Sequence, residues 1–170
     1  MSDKLTAFKE KVLKCVQEGD IATLFVMEQE AQELLSEEDL LGYYANILEL
    51  SLENLTNALE HPKRFSLEEV QDFATLRALY EYAMEHYSAG SLNDAAALFE
   101  ILEGLTSDEA FSQAMKLHYF SCNQGLVLDE FLETIADVDA TEALGTFYIS
   151  VFQGKAHHLL NIAEVSEGTA

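Results

Sequence analysis

The side chains able to do chemistry are 31 carboxylates, 5 histidines and 2 cysteines in a chain of 170 residues. Paired carboxylates can act as general acid and base, but among so many acids such pairs arise throughout the chain and single out no site. No histidine has a glutamate three residues before it, so the E-x-x-H pairs of di-iron bundles are missing. HExxH, GxSxG and a phosphate-cradling glycine loop are missing as well. Asp137-Val138-Asp139 opens like a calcium loop, yet Glu142 stands where that loop needs glycine and Tyr148 where it needs a bidentate glutamate. Asp139 with Glu142 reads instead as a helix cap. His157 and His158 are adjacent, and on a helix they project about 100° apart, which suits a surface pair better than a shared ion. Cys15 and Cys122 have no CxxC or paired-histidine spacing and read as small buried hydrophobes. No metal and no cofactor is expected, and catalysis ranks below binding.

What must position these residues follows from composition. Nine Lys plus Arg against 31 Asp plus Glu give a formal charge of −22, which repels phosphate backbones, and no basic cluster offers a nucleic-acid footprint. No apolar run approaches the roughly 18 residues of a membrane span, so no membrane insertion is expected. The start, Met1-Ser2-Asp3-Lys4, lacks the apolar segment of a secretory signal, and the expected location is cytoplasmic. With 49% hydrophobic residues, one proline and 8 glycines, the composition predicts an all-α fold. Charge is uneven: four basic residues fall in the first fourteen positions, while Cys15 to Glu60 holds eleven acids and no Lys or Arg.

Helical periodicity runs through Leu5, Phe8, Val12 and Val16, then Leu24, Met27, Ala31 and Leu34, then Leu40, Tyr44, Ile47, Leu48, Leu52, Leu55 and Leu59. Pro62 breaks the chain, and Ser66-Leu67-Glu68-Glu69 has the form of a capping box that starts a helix near Leu67. The division is an N-terminal helical region, 1–62, packing on the rest or self-associating, and a second region, 66–165, within one compact domain.

The second region repeats. Leu79 to Leu102 reads as helix, turn, helix, with Gly90 ending the first helix, Asn93 or Asp94 capping the second, and small Ala83 and Ala95 letting the two approach beside Phe99. A weaker copy centres on Gly125, 35 residues later, another on Gly154 with Ala156 and Leu159, and Gly19-Asp20 is a degenerate fourth turn. Ala83, Gly90, Ala95 and Phe99 make this block similar to the tetratricopeptide repeat. The fuller form L-Y-x-x-A-x-x-x-Y-x-x-G-x-x-x-D-A-x-x-x-F-x-x-L resembles the class II chaperones of type III secretion, strongly over 79–102 and weakly from Phe73 to Ile162. Glu130 in place of alanine and the short third repeat depart from that family and leave room for a needle-type client.

The resemblance implies antiparallel helix pairs stacked as a short tetratricopeptide-like solenoid with an N-terminal helical extension. Helical spacing then selects Arg77, Tyr80, Met84 and Tyr87 from the first repeat. Ser112, Met115, Tyr119 and Cys122 follow from the second, and Leu144, Tyr148 and Val151 from the third. Such rows can floor a groove for an apolar segment of a client, since tyrosine offers rigid area and methionine adapts its shape. The resemblance also implies that Tyr80 and Tyr87 anchor that client, a secreted translocator or needle-type subunit held soluble before export. Replacing both by glutamate is then expected to remove binding with helicity intact. The competing reading is a scaffold or regulatory adaptor joining folded proteins, and a homodimer through the N-terminal helices is a further option.

Overall fold

The computed structural model describes residues 3–156 and residue 158. It is all-helical: α1 Asp3–Glu18, α2 Ile21–Val26, α3 Glu28–Leu34, α4 Glu37–Glu60, α5 Val70–Ser88, α6 Leu92–Gly104, α7 Glu109–Asn123, α8 Leu128–Thr134 and α9 Val138–Leu144. An isolated antiparallel bridge pairs Ala136 with Phe152. No described helix is long and apolar enough to cross a membrane. The chain forms two compact units, Met1–Leu79 and Tyr80–Ala170, which divide inside α5 and not at Pro62.

In the first unit, Phe8 and Cys15 of α1, Ile21 and Leu24 of α2, Ala31 of α3, Tyr43 and Ile47 of α4, and Ala74 and Ala78 of α5 share one core. Polar contacts fix the elements around it. Asp20 caps α2, its carboxylate accepting from the Thr23 amide at 3.1 Å and the Thr23 hydroxyl at 2.6 Å. Gln71 at the start of α5 donates to the same carboxylate at 2.7 Å and accepts from the Ala22 amide at 3.1 Å. One glutamine side chain thus seals the α2 N-terminus, and the Thr23 hydroxyl bond above all, with the bonds from Gln71 and the Thr23 amide, outweighs burial and holds the Asp20 carboxyl below its ordinary range.

Helix α5 starts later than the Ser66 capping box predicts. The Ser66 hydroxyl accepts from the Glu68 amide at 3.2 Å, while Glu69 caps α5 itself, its carboxylate accepting from the amides of Gln71 at 3.1 Å and Asp72 at 3.0 Å. The Ser66 amide is bound instead by the Asp72 carboxylate at 3.0 Å, which leaves no role for a reciprocal box. Similarly, α9 is capped by Asp137, which accepts from the Ala140 amide at 3.0 Å, and not by Asp139. Neither Asn93 nor Asp94 caps α6; Ser91 occupies that position without a side-chain bond.

The glycine turns are built alike. Gly19, Gly90 and Gly125 have φ of 69°, 83° and 79°, and each donates to the carbonyl three residues back. The following amide reaches five residues back: Asp20 to Cys15, Ser91 to His86 and Leu126 to Ser121, at 2.8, 2.9 and 3.0 Å. These turns join α1 to α2, α5 to α6 and α7 to α8. In the second unit, Phe99 of α6 meets the rings of Tyr80 and Tyr87, each at 6.1 Å, and Tyr87 meets Phe131 of α8 at 5.7 Å.

The third turn is a correction. The left-handed residue is Gly145, with φ of 73°, and it ends α9 just past Leu144. The chain then runs back without helix: the Asp137 amide binds Val151 and the Gln153 amide binds Ile135, both at 2.8 Å. Leu144, Tyr148 and Val151 therefore do not share a helical face, and Gly154 has no left-handed backbone. Leu159, Ile162 and His157 lie outside the described residues.

Replacing Gly90 by alanine forces an L residue into left-handed geometry and is expected to cost about 1–2 kcal/mol. Gly154→Ala is expected to stay within about 0.5 kcal/mol of the parent. Urea unfolding of the two variants checks the assignment of the turns.

Candidate functional site

The rows chosen for a groove are mainly core. Tyr80 is 4%, Tyr87 1%, Met115 0%, Cys122 5% and Tyr148 8% exposed, which closes these residues to a client in this fold. Met84, Tyr119 and Arg77 are half-buried. The hydroxyl of Tyr87 donates to the Leu126 carbonyl at 2.8 Å and so braces the α7–α8 turn. Burial pushes the Cys122 thiol up to about 11, leaving it protonated and inert at neutral pH. Cys15 is buried and raised for the same reason.

The centre of this cluster is His118, a residue that spacing alone did not single out. Its Nδ1 lies 2.6 Å from the Ala114 carbonyl, which can only accept, so Nδ1 carries the proton. Its Nε2, 2.8 Å from the Tyr80 hydroxyl, then accepts from that hydroxyl. Tyr80 in turn accepts from the Ile149 amide at 3.0 Å. The imidazole is ringed by Phe99 and Phe131, each at 4.8 Å, with Tyr80 at 5.3 Å. Burial in this cage pulls its pKa from 6.5 down to about 4, outweighing the bond to Ala114, which acts the other way. The arrangement is a structural relay: it joins α7, α5 and the returning segment through one neutral histidine.

An open surface of a different kind lies in the first unit. Phe25 and Val26 of α2, with Ala22, face Leu67, Val70, Phe73, Ala74 and Arg77 across a groove of ≈ 350 Å³. Val26 is 82%, Val70 64% and Phe73 42% exposed, which is apolar area left in water. Arg77 is the sequence-selected residue that does line this groove. Its guanidinium stacks 4.1 Å from the centroid of the Phe25 ring and reaches Glu28 at 3.7 Å. The groove thus has an apolar floor with a charged, planar lip. Val70, Phe73 and Arg77 stand three, four and seven positions apart on α5, a line the sequence displays without revealing that α2 lies opposite.

Among the described residues no three His, Cys, Asp or Glu side chains are arranged to hold a metal ion. The chain matches no family model, no curated protein and no solved structure.

Between pH 6.5 and about 4 the unfolded chain takes up a proton at His118 that the folded chain refuses. The stability held by the neutral imidazole is complete above pH 6.5 and falls as the pH drops toward 4. Urea unfolding across that range is expected to show a shallower pH slope for His118→Gln than for the parent. Tyr80→Phe strips partners from both His118 and the Ile149 amide, and is expected to cost about 2–3 kcal/mol at pH 7 in the same measurement.

Proposed function

We propose that the chain is a binding protein without chemistry of its own, a cytoplasmic chaperone that keeps an apolar segment of a secreted subunit soluble before type III export. The observation that supports it is the open apolar groove between α2 and α5, with Val26 82% and Val70 64% exposed. Apolar side chains on a client would cover that area and gain about 25 cal/mol per Å² removed from water. Arg77, stacked on Phe25 and paired with Glu28, shapes the lip, and affinity comes from the apolar floor. The charge of −22 keeps a complex with an aggregation-prone client dispersed.

The similarity of 79–102 to class II type III chaperones supports the same family, with α5–α6 and α7–α8 as two tetratricopeptide-like pairs of a short solenoid. In this reading the tyrosines of those pairs stabilise the array, and the client is held on the first unit.

Co-expression with candidate translocator and needle-type subunits is expected to raise the soluble yield of one of them in a stable complex. Val26→Glu/Val70→Glu is expected to weaken that complex at least about tenfold with an unchanged melting profile. Unchanged affinity removes the groove. Stable complexes formed only with folded proteins, with no gain in client solubility, favour the adaptor.

A further inference from the structure

Helix α4 carries more apolar surface than its own core uses. Its buried side is Tyr43, Ile47, Ser51, Leu55 and Ala58. Beside that side runs a second apolar line, Leu41, Ala45, Leu48, Leu52 and Leu59, which with Leu55 keeps a strict 4-3-4-3-4 spacing. Leu41 is 69% and Leu59 60% exposed, Ala45 is exposed, and Leu48 and Leu52 are half-buried. A spacing that averages 3.5 residues over about 27 Å of helix is the repeat of a coiled-coil seam. A helix that serves a single core needs one stripe, and this helix has a second.

The far flank of the seam is acidic. At about 100° per residue, Glu38, Glu49, Glu60 and Glu53 fall next to the apolar line on the side away from the core, and all four are exposed. Asp39 is held by Lys9 at 3.1 Å. No cation pairs with Glu38, Glu49, Glu53 or Glu60 among the described residues, and no Lys or Arg occurs between Cys15 and Glu60.

We infer that α4 is a docking surface for an amphipathic helix of a partner polypeptide, one whose apolar 3-4 stripe is flanked by lysine or arginine. The seam supplies the packing and the acid row selects the partner's charge. A second copy of this chain is disfavoured as the occupant. An antiparallel copy would place one acid row against another, and either orientation would join two bodies each bearing −22. The surface shares no residue with the α2–α5 groove and stands on its own observations.

The test uses the full chain and three labelled helical peptides of about three heptads. The first has leucine at the seam and lysine on its flanks, the second replaces those lysines by glutamate, and the third scrambles the first. Fluorescence anisotropy near physiological salt is expected to show binding of the lysine peptide and at least about tenfold weaker binding of the other two. Leu41→Glu/Leu59→Glu is expected to lose the lysine peptide at least about tenfold without altering far-UV dichroism. Glu49→Lys/Glu53→Lys, at exposed positions, is expected to shift preference toward the glutamate peptide. Equal binding of the scrambled peptide, undiminished binding by the leucine variant, or no binding of any probe overturns the inference. So does sedimentation showing a dimer of the parent that the leucine variant disperses, which would assign the seam to a second copy.

Discussion

His118 is held without a charge: its Nδ1–H donates to the Ala114 carbonyl, its Nε2 accepts from the Tyr80 hydroxyl, and aromatic rings pack around it. A charged imidazole there would be desolvated without a counter-ion, whereas the neutral form has every polar atom matched. Much of the second unit depends on that match. Tyr80 completes it only with its ring against Phe99, and its oxygen then takes the Ile149 amide and anchors the segment that follows α9. That segment cannot also continue as a helix, because its backbone is committed to Ile135, Asp137 and the Thr141 hydroxyl.

This constraint moves function away from the repeat-like tyrosines. Residues that a client-binding groove would leave open are here used to satisfy one another, and opening them to a ligand would strand the His118 and Ile149 partners. Two surfaces of the first unit gather uncovered apolar area in one place: the groove between α2 and α5, and the seam along α4. Both combine apolar floors with charged margins, the combination by which a protein surface binds a polypeptide while rejecting most others. The acidic composition, uninformative when read for catalysis, acquires a specific place once Glu49 and Glu53 are seen beside Leu48 and Leu52.

The turns were legible because they are local. Gly90, Gly125 and the degenerate Gly19 need a left-handed residue whatever surrounds them, and all three have one. Gly154 looks alike in sequence, yet the left-handed cap is Gly145, whose amide donates to Thr141 and Glu142, and the segment after it is paired with Ile135 and Asp137. Periodicity also showed correctly that Arg77, Tyr80, Met84 and Tyr87 lie on one helix, but periodicity cannot say whether a face meets water or another helix. The role of His118 is not legible in the sequence, because it requires a partner 38 residues away and no local pattern encodes that. Arg77 falls on a repeat position by spacing, whereas its place in the fold is set by stacking on Phe25.

The most direct measurement is differential scanning calorimetry with far-UV dichroism on the Tyr80→Glu/Tyr87→Glu chain. If these tyrosines are the core that His118 organises, two buried carboxylates abolish or grossly lower the cooperative transition and reduce helicity. A native-like transition with full helicity, together with lost client binding, would contradict the account and return the binding site to the repeat tyrosines.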